Sequence, residues 1–389
     1  MKHKEEKIES HLIGRFGNPG TGPAIICLGG IHGDEKAGVH AIESVLNEID
    51  QLDLSSFFGE LIGLKGNISA LEKDIRFIDR DFNRSWDIKN INKILSGGMT
   101  HLVSEDLEMI ELYNEVKSII QNAKGHPVFF LDLHTSTAKG SPFICFGDTI
   151  PNRNFAMKFP VPIILGLEEH LNKPLIEFMT ELGCISMAVE GGQHHDVSSM
   201  QNLVSIIWLA LTHENMINRR EIPGINSHIA RLQKAVNGLP MITEIKFRHE
   251  ISPDDRFIMK SGYKNFQPIF PGEQIASDKS GAIKANILGR IILPLYQGLG
   301  NDGFFVGKEI KPFWFSVSVL LRKFRLDNLL PLFPGIRKSL DQKHTFILNK
   351  KLAKWLGFNF FHLFGYRLIP NTGQEILIKK RVHGNKITF

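Results

Sequence analysis

The chain has 389 residues, of which 42% are hydrophobic and 22% are charged. At roughly 150 residues per domain this length favours two or three domains, and the composition excludes a disordered or collagen-like protein. The formal net charge of +5 is unevenly distributed. Residues 308–389 contain 16 Lys and Arg against 4 Asp and Glu, so the C-terminal fifth is basic and the preceding part is acidic.

The first part of the chain alternates strand-like and helix-like segments. Residues 23–31 form an apolar run bounded by glycines, which predicts a buried strand, and helical spacing of apolar residues follows in 35–49. A further helix is predicted over 105–123, with Ser104 as its N-cap. Further strands are predicted at 61–64, 128–133, 144–146, 161–165 and 185–189. This alternation predicts an α/β fold, a mixed sheet flanked by helices, for residues 1–238.

Two regions of different composition follow. Residues 239–310 contain short β-like runs separated by Gly, Pro, Asp and Asn, which predicts a small all-β domain. Residues 311–389 form a basic C-terminal extension that contains many aromatic residues, among them Trp314, Phe315, Trp355 and Phe358. We expect its apolar residues to pack on the rest of the chain, with Lys and Arg facing solvent. The alternative is a peripheral binding protein that docks through this extension on an acidic membrane.

The location of the protein is predicted from three features. Cys27, Cys145 and Cys184 are odd in number and lie in apolar stretches, as is typical of buried free thiols. The N-terminal MKHKEEKIES lacks the apolar core of a signal peptide, and no run of about 18 apolar residues occurs. We therefore expect a cytoplasmic protein. No nucleic-acid motif is recognisable, so we expect no nucleic-acid partner.

Two short motifs at predicted strand ends offer metal ligands. His32 and Glu35 follow the first strand three residues apart, and an imidazole with a carboxylate suits zinc. His134 lies at the end of the strand 128–133, where Asp132 shares its face and could orient its ring. Each motif alone is also explained by ordinary surface or loop residues, since about one His-x-x-Glu is expected by chance.

Two more clusters carry groups suited to catalysis. The segment 76–84 contains Asn83 and Arg84, which could clamp a carboxylate, and Arg76, which could reach an oxyanion. The alternative for this segment is a solvated loop of alternating charges. Glu190 ends the strand 185–189 before two glycines, where partial burial would suit a general base. The pair His194 and His195 that follows is more typical of a solvent-facing loop.

In this order the motifs Gly-Gly-x-His-Gly-x-Glu, Arg-x-x-Asp-x-Asp-x-Asn-Arg, Asp-Leu-His and Val-Glu-x-Gly resemble one family. They are similar to the succinylglutamate desuccinylase/aspartoacylase branch of the zinc carboxypeptidase superfamily. The resemblance covers about residues 20–310 and includes Asn265–Gly272, which is similar to a segment of that family's β domain. It implies a zinc-carboxypeptidase-like fold followed by a β domain that shapes the substrate cleft.

The resemblance implies a function and a set of roles. One zinc ion per chain would be held by His32, Glu35 and His134, leaving an open position for water. Glu190 matches the catalytic glutamate that takes a proton from this water and gives it to the leaving amine. Arg76 matches the residue that stabilises the oxyanion. The function implied is a zinc-dependent hydrolase of the amide bond of small N-acyl amino acids.

The substrate contacts implied by the resemblance are less complete. Asn83 and Arg84 match the pair that binds the substrate carboxylate. Where acetylaspartate-specific members place a tyrosine, this chain has Phe304 and Phe305, and Tyr296 is close in sequence. No arginine for a second substrate carboxylate is evident, so neither acetylaspartate nor succinylglutamate is singled out. A carboxypeptidase acting on peptides is an alternative that the β domain disfavours.

Overall fold

The computed structural model describes residues 10–99, 101–339, 342, 344–349, 358–369, 376–381 and 384. Trp355, the side chain of Phe358 and residues 1–9 therefore lie outside the described part of the chain. The helices are α1 (Ala37–Asp50), α2 (Ile68–Lys73), α3 (Ile88–Leu95), α4 (Ser104–Asn122), α5 (Ile150–Ala156), α6 (Leu175–Glu181), α7 (Val197–His213), α8 (Ile225–Ala235), α9 (Pro312–Lys323) and α10 (Phe358–Leu363).

The strands that precede residue 239 are β1 (Leu12–Gly17), β2 (Ala24–Gly29), β3 (Glu60–Lys65), β4 (Val128–Ser136), β5 (Phe143–Cys145), β6 (Ile163–Leu165) and β7 (Ile185–Gln193). Those that follow are β8 (Ile242–Glu250), β9 (Ile258–Met259), β10 (Pro268–Ile269), β11 (Gln274–Asp278), β12 (Gly281–Lys284), β13 (Gly289–Ile292), β14 (Asp302–Glu309), β15 (Ile336–Lys338), β16 (Thr345–Leu348), β17 (Tyr366–Ile369) and β18 (Ile376–Lys380).

One mixed sheet of eleven strands organises the molecule, in the order β1-β3-β2-β4-β7-β5-β6-β8-β14-β13-β10. The strands β3, β2, β4 and β7 run parallel to one another. Strand β1 is antiparallel to β3, and β5 is antiparallel to β7 but parallel to β6. Strands buried on both faces read as continuous apolar runs, which is why all six strand predictions before residue 239 are confirmed.

Helices cover both faces of this sheet. Ile25 and Cys27 of β2 point to a core shared with α1, α7 and α8. The intervening Ile26 and Leu28 point to the opposite core, which contains side chains of α3, α4 and α6. Successive strand residues alternate between faces, so one short strand anchors both layers. The expected α/β fold with a mixed sheet flanked by helices is confirmed.

Residues 239–310 do not stand apart from this sheet. Strand β8 pairs in parallel with β6, with Ile164 opposite Thr243, and β14, β13 and β10 extend the same sheet. A separate three-stranded sheet, β12-β11-β9, is also formed within this region. Helix α4 begins at Ser104, one residue earlier than expected, and Val103 takes the N-cap position, its N–H donating to Asp106 Oδ2 at 3.0 Å.

The described part of the C-terminal extension has its own small core. Strands β15, β16, β18 and β17 form an antiparallel sheet that packs with the aromatic side chains Phe346, Phe361, Phe364 and Tyr366. Arg322 of α9 ties this unit to the main body, since its Nη2 donates to Asp148 Oδ2 at 2.8 Å. Arg153 and Arg381 contact the same buried carboxylate.

The expectation that the apolar residues of this extension pack inward holds only in part. Phe315 is 3% exposed and Arg153 lies over its ring. The expectation is wrong for Phe313, Trp314 and Phe324, which are 66%, 51% and 64% exposed. Among the described residues, no helix combines the length and apolar character needed to cross a membrane. The three cysteines are free and buried, as expected.

Candidate active site

Three potential metal ligands converge at the carboxyl ends of β2 and β4. The ligand atoms of His32, Glu35 and His134 all lie within 4.8 Å of one another, and all three residues are buried. His32 Nδ1 lies 2.7 Å from Glu35 Oε1, and His134 Nδ1 lies 3.1 Å from Glu35 Oε2. The sequence placed these residues about one hundred positions apart, and the parallel pairing of β2 with β4 brings them together.

The loop from β2 to α1 is built to hold His32 and Glu35 close to the sheet. Gly30 adopts a φ of +74°, a conformation that suits glycine. A Cβ on Gly33 would lie 2.1 Å from the carbonyl carbon of Ala70, so only glycine fits against this backbone. The Gly33 N–H donates to the Arg76 carbonyl at 3.2 Å, which joins this loop to the segment that carries Arg76.

Asp132 supports His134 from within the same strand, as the period-two spacing predicts. Its Oδ2 lies 2.9 Å from His134 Nε2, and its side chain is fully buried. Burial alone would lower the pKa of His134, but the Asp132 and Glu35 carboxylates together outweigh it and raise this pKa well above its usual value. A carboxylate in this position fixes the ring and makes the imidazole a more basic ligand.

Glu190 lies beside this group because β7 pairs with β4 with His134 directly opposite Glu190. Side chains opposite each other on paired strands share a face of the sheet. Glu190 lines the cavity, and its Oε2 atom is buried with no hydrogen-bond partner among the described residues. Burial raises the pKa of Glu190 to about 7, which suits proton transfer near neutral pH.

Arg76 also lies at the potential metal ligands. Its Nη2 is 3.0 Å from His32 Nε2 and 3.3 Å from Asp81 Oδ2, and its Nη1 is 3.5 Å from Glu35 Oε1. The side chain is 13% exposed. The alternative of a solvated loop is therefore wrong for the segment 76–84, because the Arg76 guanidinium reaches the buried Glu35 carboxylate and His32 imidazole.

Buried acids of α4 hold the segment 76–84 and the start of α2 in place, a role that was not predicted from the sequence. Glu105 is fully buried and accepts hydrogen bonds from the Ile78 and Asp79 N–H groups at 2.7 Å and 3.1 Å. Glu108 accepts from the Ile68 N–H at 2.8 Å. Acidic residues in a first helical turn are common for electrostatic reasons alone, so the sequence offered no signal that these would be buried anchors.

Asn83 and Arg84 line the same cavity but differ in what they contact. The Asn83 Oδ1 accepts from the Leu175 N–H at 2.8 Å, so this oxygen holds the start of α6. Arg84 Nη2 donates to Asp302 Oδ2 at 3.4 Å. Arg248 donates through Nε to the other Asp302 oxygen at 2.5 Å. Asp302 was not predicted as part of the site; it lies 218 residues beyond Arg84 and is brought to it by β14.

The cavity in front of these residues has a volume of about 130 Å³. Of the described residues that line it, Arg76 and Arg84 are its permanently cationic ones. Tyr296 does not line it, because its hydroxyl donates to the carbonyls of Lys260 and Tyr263 instead. The apolar part of its lining, the apolar wall, consists of Leu167, Leu171, Ile176, Leu293, Leu295, Leu299 and Phe305.

The two adjacent histidines after Glu190 differ in their exposure: one faces solvent and the other faces the cavity. His195 is exposed, as expected of a loop residue. The expectation is wrong for His194, which lines the cavity and whose Nδ1 lies 2.7 Å from Thr135 Oγ1. Burial lowers the pKa of His194. The extension of β7 to Gln193, beyond the predicted end of this strand, turns the first histidine inward.

The donor set fits zinc, since it consists of two buried imidazoles and one buried carboxylate. They come from segments at the carboxyl ends of β2 and β4. Three protein ligands rather than four are typical of a catalytic rather than a structural site. Both imidazoles contact the Glu35 carboxylate, and the ligand atoms of the three residues lie within 4.8 Å of one another, which is close enough for them to share one ion.

Comparison with solved structures establishes the fold class. The chain resembles the crystal structure of a succinylglutamate desuccinylase/aspartoacylase from Rhodobacter sphaeroides, with a TM-score of 0.55 and 16% identity. The likeness covers 76% of this chain and 88% of that one. Residues 21–168 match the model of the succinylglutamate desuccinylase/aspartoacylase catalytic domain. The resemblance that the motifs indicated is therefore confirmed for this part of the chain.

Two curated relatives agree with this assignment. An N-acyl-aromatic-L-amino acid amidohydrolase (carboxylate-forming) of Xenopus tropicalis is 30% identical over 135 residues, which are 34% of this chain. The match spans 39% of that relative, or about two fifths of its length. A probable aspartoacylase of Nostoc sp. is 23% identical over 270 residues, covering 64% of this chain and 82% of the relative.

Proposed function

We propose that this protein is a zinc-dependent amidohydrolase that removes the acyl group from small N-acyl amino acids. The observation that carries this proposal is the convergence of His32, Glu35 and His134 beside the unpartnered carboxylate oxygen of Glu190. The two curated relatives, an N-acyl-amino acid amidohydrolase and a probable aspartoacylase, support the reaction class.

His32, Glu35 and His134 would hold the ion. When bound, zinc would polarise the amide carbonyl and lower the pKa of water, so that a nucleophile forms near neutral pH. The carboxylate of Asp132 would keep the His134 ring oriented toward the ion through its contact with Nε2. One zinc ion per chain is the expected content.

The remaining residues would carry the protons and charges of the reaction. Glu190 would accept a proton from the attacking water as its oxygen bonds to the amide carbon. The same proton would pass to the nitrogen as the carbon–nitrogen bond breaks, giving a free amine and a carboxylic acid that loses its own proton to solvent. Arg76 would stabilise the negative oxygen formed between these steps, a contribution typically worth about 3 kcal/mol per donor.

The cavity favours substrates with one carboxylate and an apolar group. Arg84, with Asn83 beside it, would bind the carboxylate of the amino acid. Asp302 already contacts Arg84, so a second substrate carboxylate at this place would meet a like charge. The apolar wall that includes Leu295 and Phe305 would instead accommodate an aliphatic or aromatic group.

The proposal is tested by measuring amine release from N-acetyl, N-formyl and N-succinyl amino acids, with the zinc content of the protein determined in parallel. We expect the highest kcat/KM on substrates with apolar side chains. Glu190→Gln keeps the size of the side chain but not its basicity, so kcat should fall by about 10²- to 10⁴-fold while zinc is retained.

The matched control is Glu250→Gln, since the Glu250 side chain is 72% exposed, and its activity should equal that of the unmodified chain. Protein that carries one zinc per chain and hydrolyses none of these amides would refute the proposal. Full activity in Glu190→Gln would refute the role of this residue as the base.

A further inference from the structure

Helix α9 presents an apolar stripe to solvent. Phe313, Leu320 and Phe324 are spaced by seven and four residues, which places them on one face of the helix and of the residue that caps it. They are 66%, 55% and 64% exposed. A surface helix ordinarily turns its apolar residues to the core and its polar residues to water. Helix α9 buries Phe315 and packs Val319 on the core, but it leaves a second apolar side exposed.

The inner side of α9 is held in this orientation by polar contacts. The Ser318 hydroxyl donates to the Leu363 carbonyl at 2.7 Å. The Arg322 side chain is 5% exposed and donates to both oxygens of Asp148, at 2.8 Å and 3.2 Å. Rotating the helix to bury Phe313 and Leu320 would break these contacts and leave Asp148 with fewer cationic partners. The outward apolar stripe is therefore fixed by the fold.

Further exposed apolar residues follow α9 in the next segment. Residues Leu326–Leu332 form a 3-10 helix, which has three residues per turn. Leu326, Leu329 and Leu332 therefore lie on one face, and they are 37%, 51% and 78% exposed. We call these three leucines together with Phe313, Leu320 and Phe324 the apolar ridge. Single exposed apolar residues are common, whereas a row of six marks an interaction surface.

The exposed charges within residues 311–338, the segment that carries the apolar ridge, have one sign. Lys311, Lys323, Arg325 and Lys338 are exposed. Asp327 is the one acidic residue in the sequence from 311 to 338, and it is buried, accepting from the Tyr366 hydroxyl at 3.0 Å. A second copy of this chain would bring the same cations face to face. A surface of anionic lipid headgroups would instead neutralise them while the apolar side chains enter the acyl boundary.

We propose that the apolar ridge docks this protein on an anionic membrane surface, with the helix axis of α9 in the plane of the interface. Trp314, which is 51% exposed next to Phe313, adds an aromatic ring of the kind that favours the headgroup region. This function is independent of the hydrolytic site, because none of the six residues of the ridge lines that cavity.

The test is sedimentation of the full chain with vesicles of phosphatidylcholine alone or with about 30% phosphatidylserine. We expect binding to the anionic vesicles that weakens as salt is raised. Phe313→Gln/Leu320→Gln/Phe324→Gln should lower the partition coefficient at least about tenfold, since three apolar insertions are lost. Lys323→Glu/Arg325→Glu should remove the preference for anionic lipid.

The matched control is Ile258→Gln/Phe270→Gln/Leu288→Gln, which replaces three other apolar residues that are 67%, 59% and 55% exposed. It should bind vesicles as the unmodified chain does. All variants change exposed side chains, and their melting temperatures are measured to confirm folding. Absence of binding to anionic vesicles, or an equal loss in the control, would overturn the proposal. Dimerisation without vesicle binding, abolished by the ridge variant, would overturn it and assign the ridge to a second copy.

Discussion

Glu35 is the residue on which the geometry of the site depends most. Its Oε1 contacts His32, while its Oε2 contacts His134 and accepts from the Thr135 N–H at 2.9 Å. Burial alone would raise the pKa of Glu35, but the charge of His32 and hydrogen bonds from both imidazoles outweigh it and hold this pKa well below its usual value. One carboxylate therefore keeps both rings in position and remains ionised.

The residues of the site were predictable to different degrees. His32, Glu35 and His134 are recognisable because short motifs at strand ends carry them, and parallel strands place such ends at one edge. Thr135 and His194 were not predicted as members of the site, since their inward direction depends on how far β4 and β7 extend. Asp302 could not be predicted because its partner, Arg84, is distant in sequence.

A prediction at the residue scale concerns Asp132. Asp132→Asn keeps the shape of the side chain but removes the charge that orients and activates His134, so zinc affinity should fall by about 10- to 100-fold. The measurement is competition with a chromophoric chelator at fixed pH. Asp53→Asn, at an exposed position, is the control. Equal affinity in Asp132→Asn and the unmodified chain would contradict the role given to Asp132.

At the scale of elements, a buried ionic cluster joins the C-terminal unit to the main body, beside the apolar contact of Phe315 with the main core. Asp148 is 3% exposed and is surrounded by guanidinium groups from three different elements. Burial alone would raise the pKa of Asp148, but the charges of Arg153 and Arg322 outweigh it and hold this pKa well below its usual value. The basic character of the extension is evident from the sequence. That Asp148 would be the carboxylate bound by its arginines is not.

Asp148→Asn should lower the free energy of unfolding by about 3–5 kcal/mol, because it leaves buried guanidinium groups without their counter-charge. Denaturant titration measures this loss. Asp74→Asn removes one partner of the exposed Lys36–Asp74 pair, and its effect should stay below about 1 kcal/mol. Losses of similar size in the two variants would refute the structural role of Asp148.

The Asp148 carboxylate should also make the free energy of unfolding depend on pH. Because the pKa of Asp148 is lower in the folded than in the unfolded chain, its contribution is complete above the unfolded value of about 3.9. It is lost as pH falls through the folded value. The free energy of unfolding should therefore decline as the solution is acidified below about pH 4, and this decline should be shallower in Asp148→Asn.

At the scale of the whole molecule, the strands after residue 239 continue the main sheet. Ile164 of β6 and Phe305 of β14 belong to one core, which also contains Phe143 and Ile292. The sequence of residues 239–310 predicts strands correctly, but short strands without helices look alike whether they form a separate sheet or extend an existing one. Whether these strands extend the main sheet depends on whether the edge of β6 is free to pair with β8, and composition does not reveal this.

Strands β6 and β14 should therefore open together. In native-state hydrogen exchange, peptides that contain these two strands should show the same opening free energy, and Ile164→Ala should lower both by about 2–5 kcal/mol. Peptides from β16 and β18, which share a different core, serve as the internal control. Opening of β14 at a clearly lower free energy than β6 would show that residues 239–310 unfold as an independent unit.

The pairing of His134 with Glu190 on neighbouring strands has an evolutionary consequence. Their separation is set by backbone hydrogen bonds of the central sheet, whereas much of the apolar wall comes from Leu293, Leu295 and Leu299 in the loop between β13 and β14. Mutations in that loop can change which substrates enter without disturbing the spacing of the proposed ligand and base. Related chains could thus differ in substrate specificity while keeping the same proposed reaction.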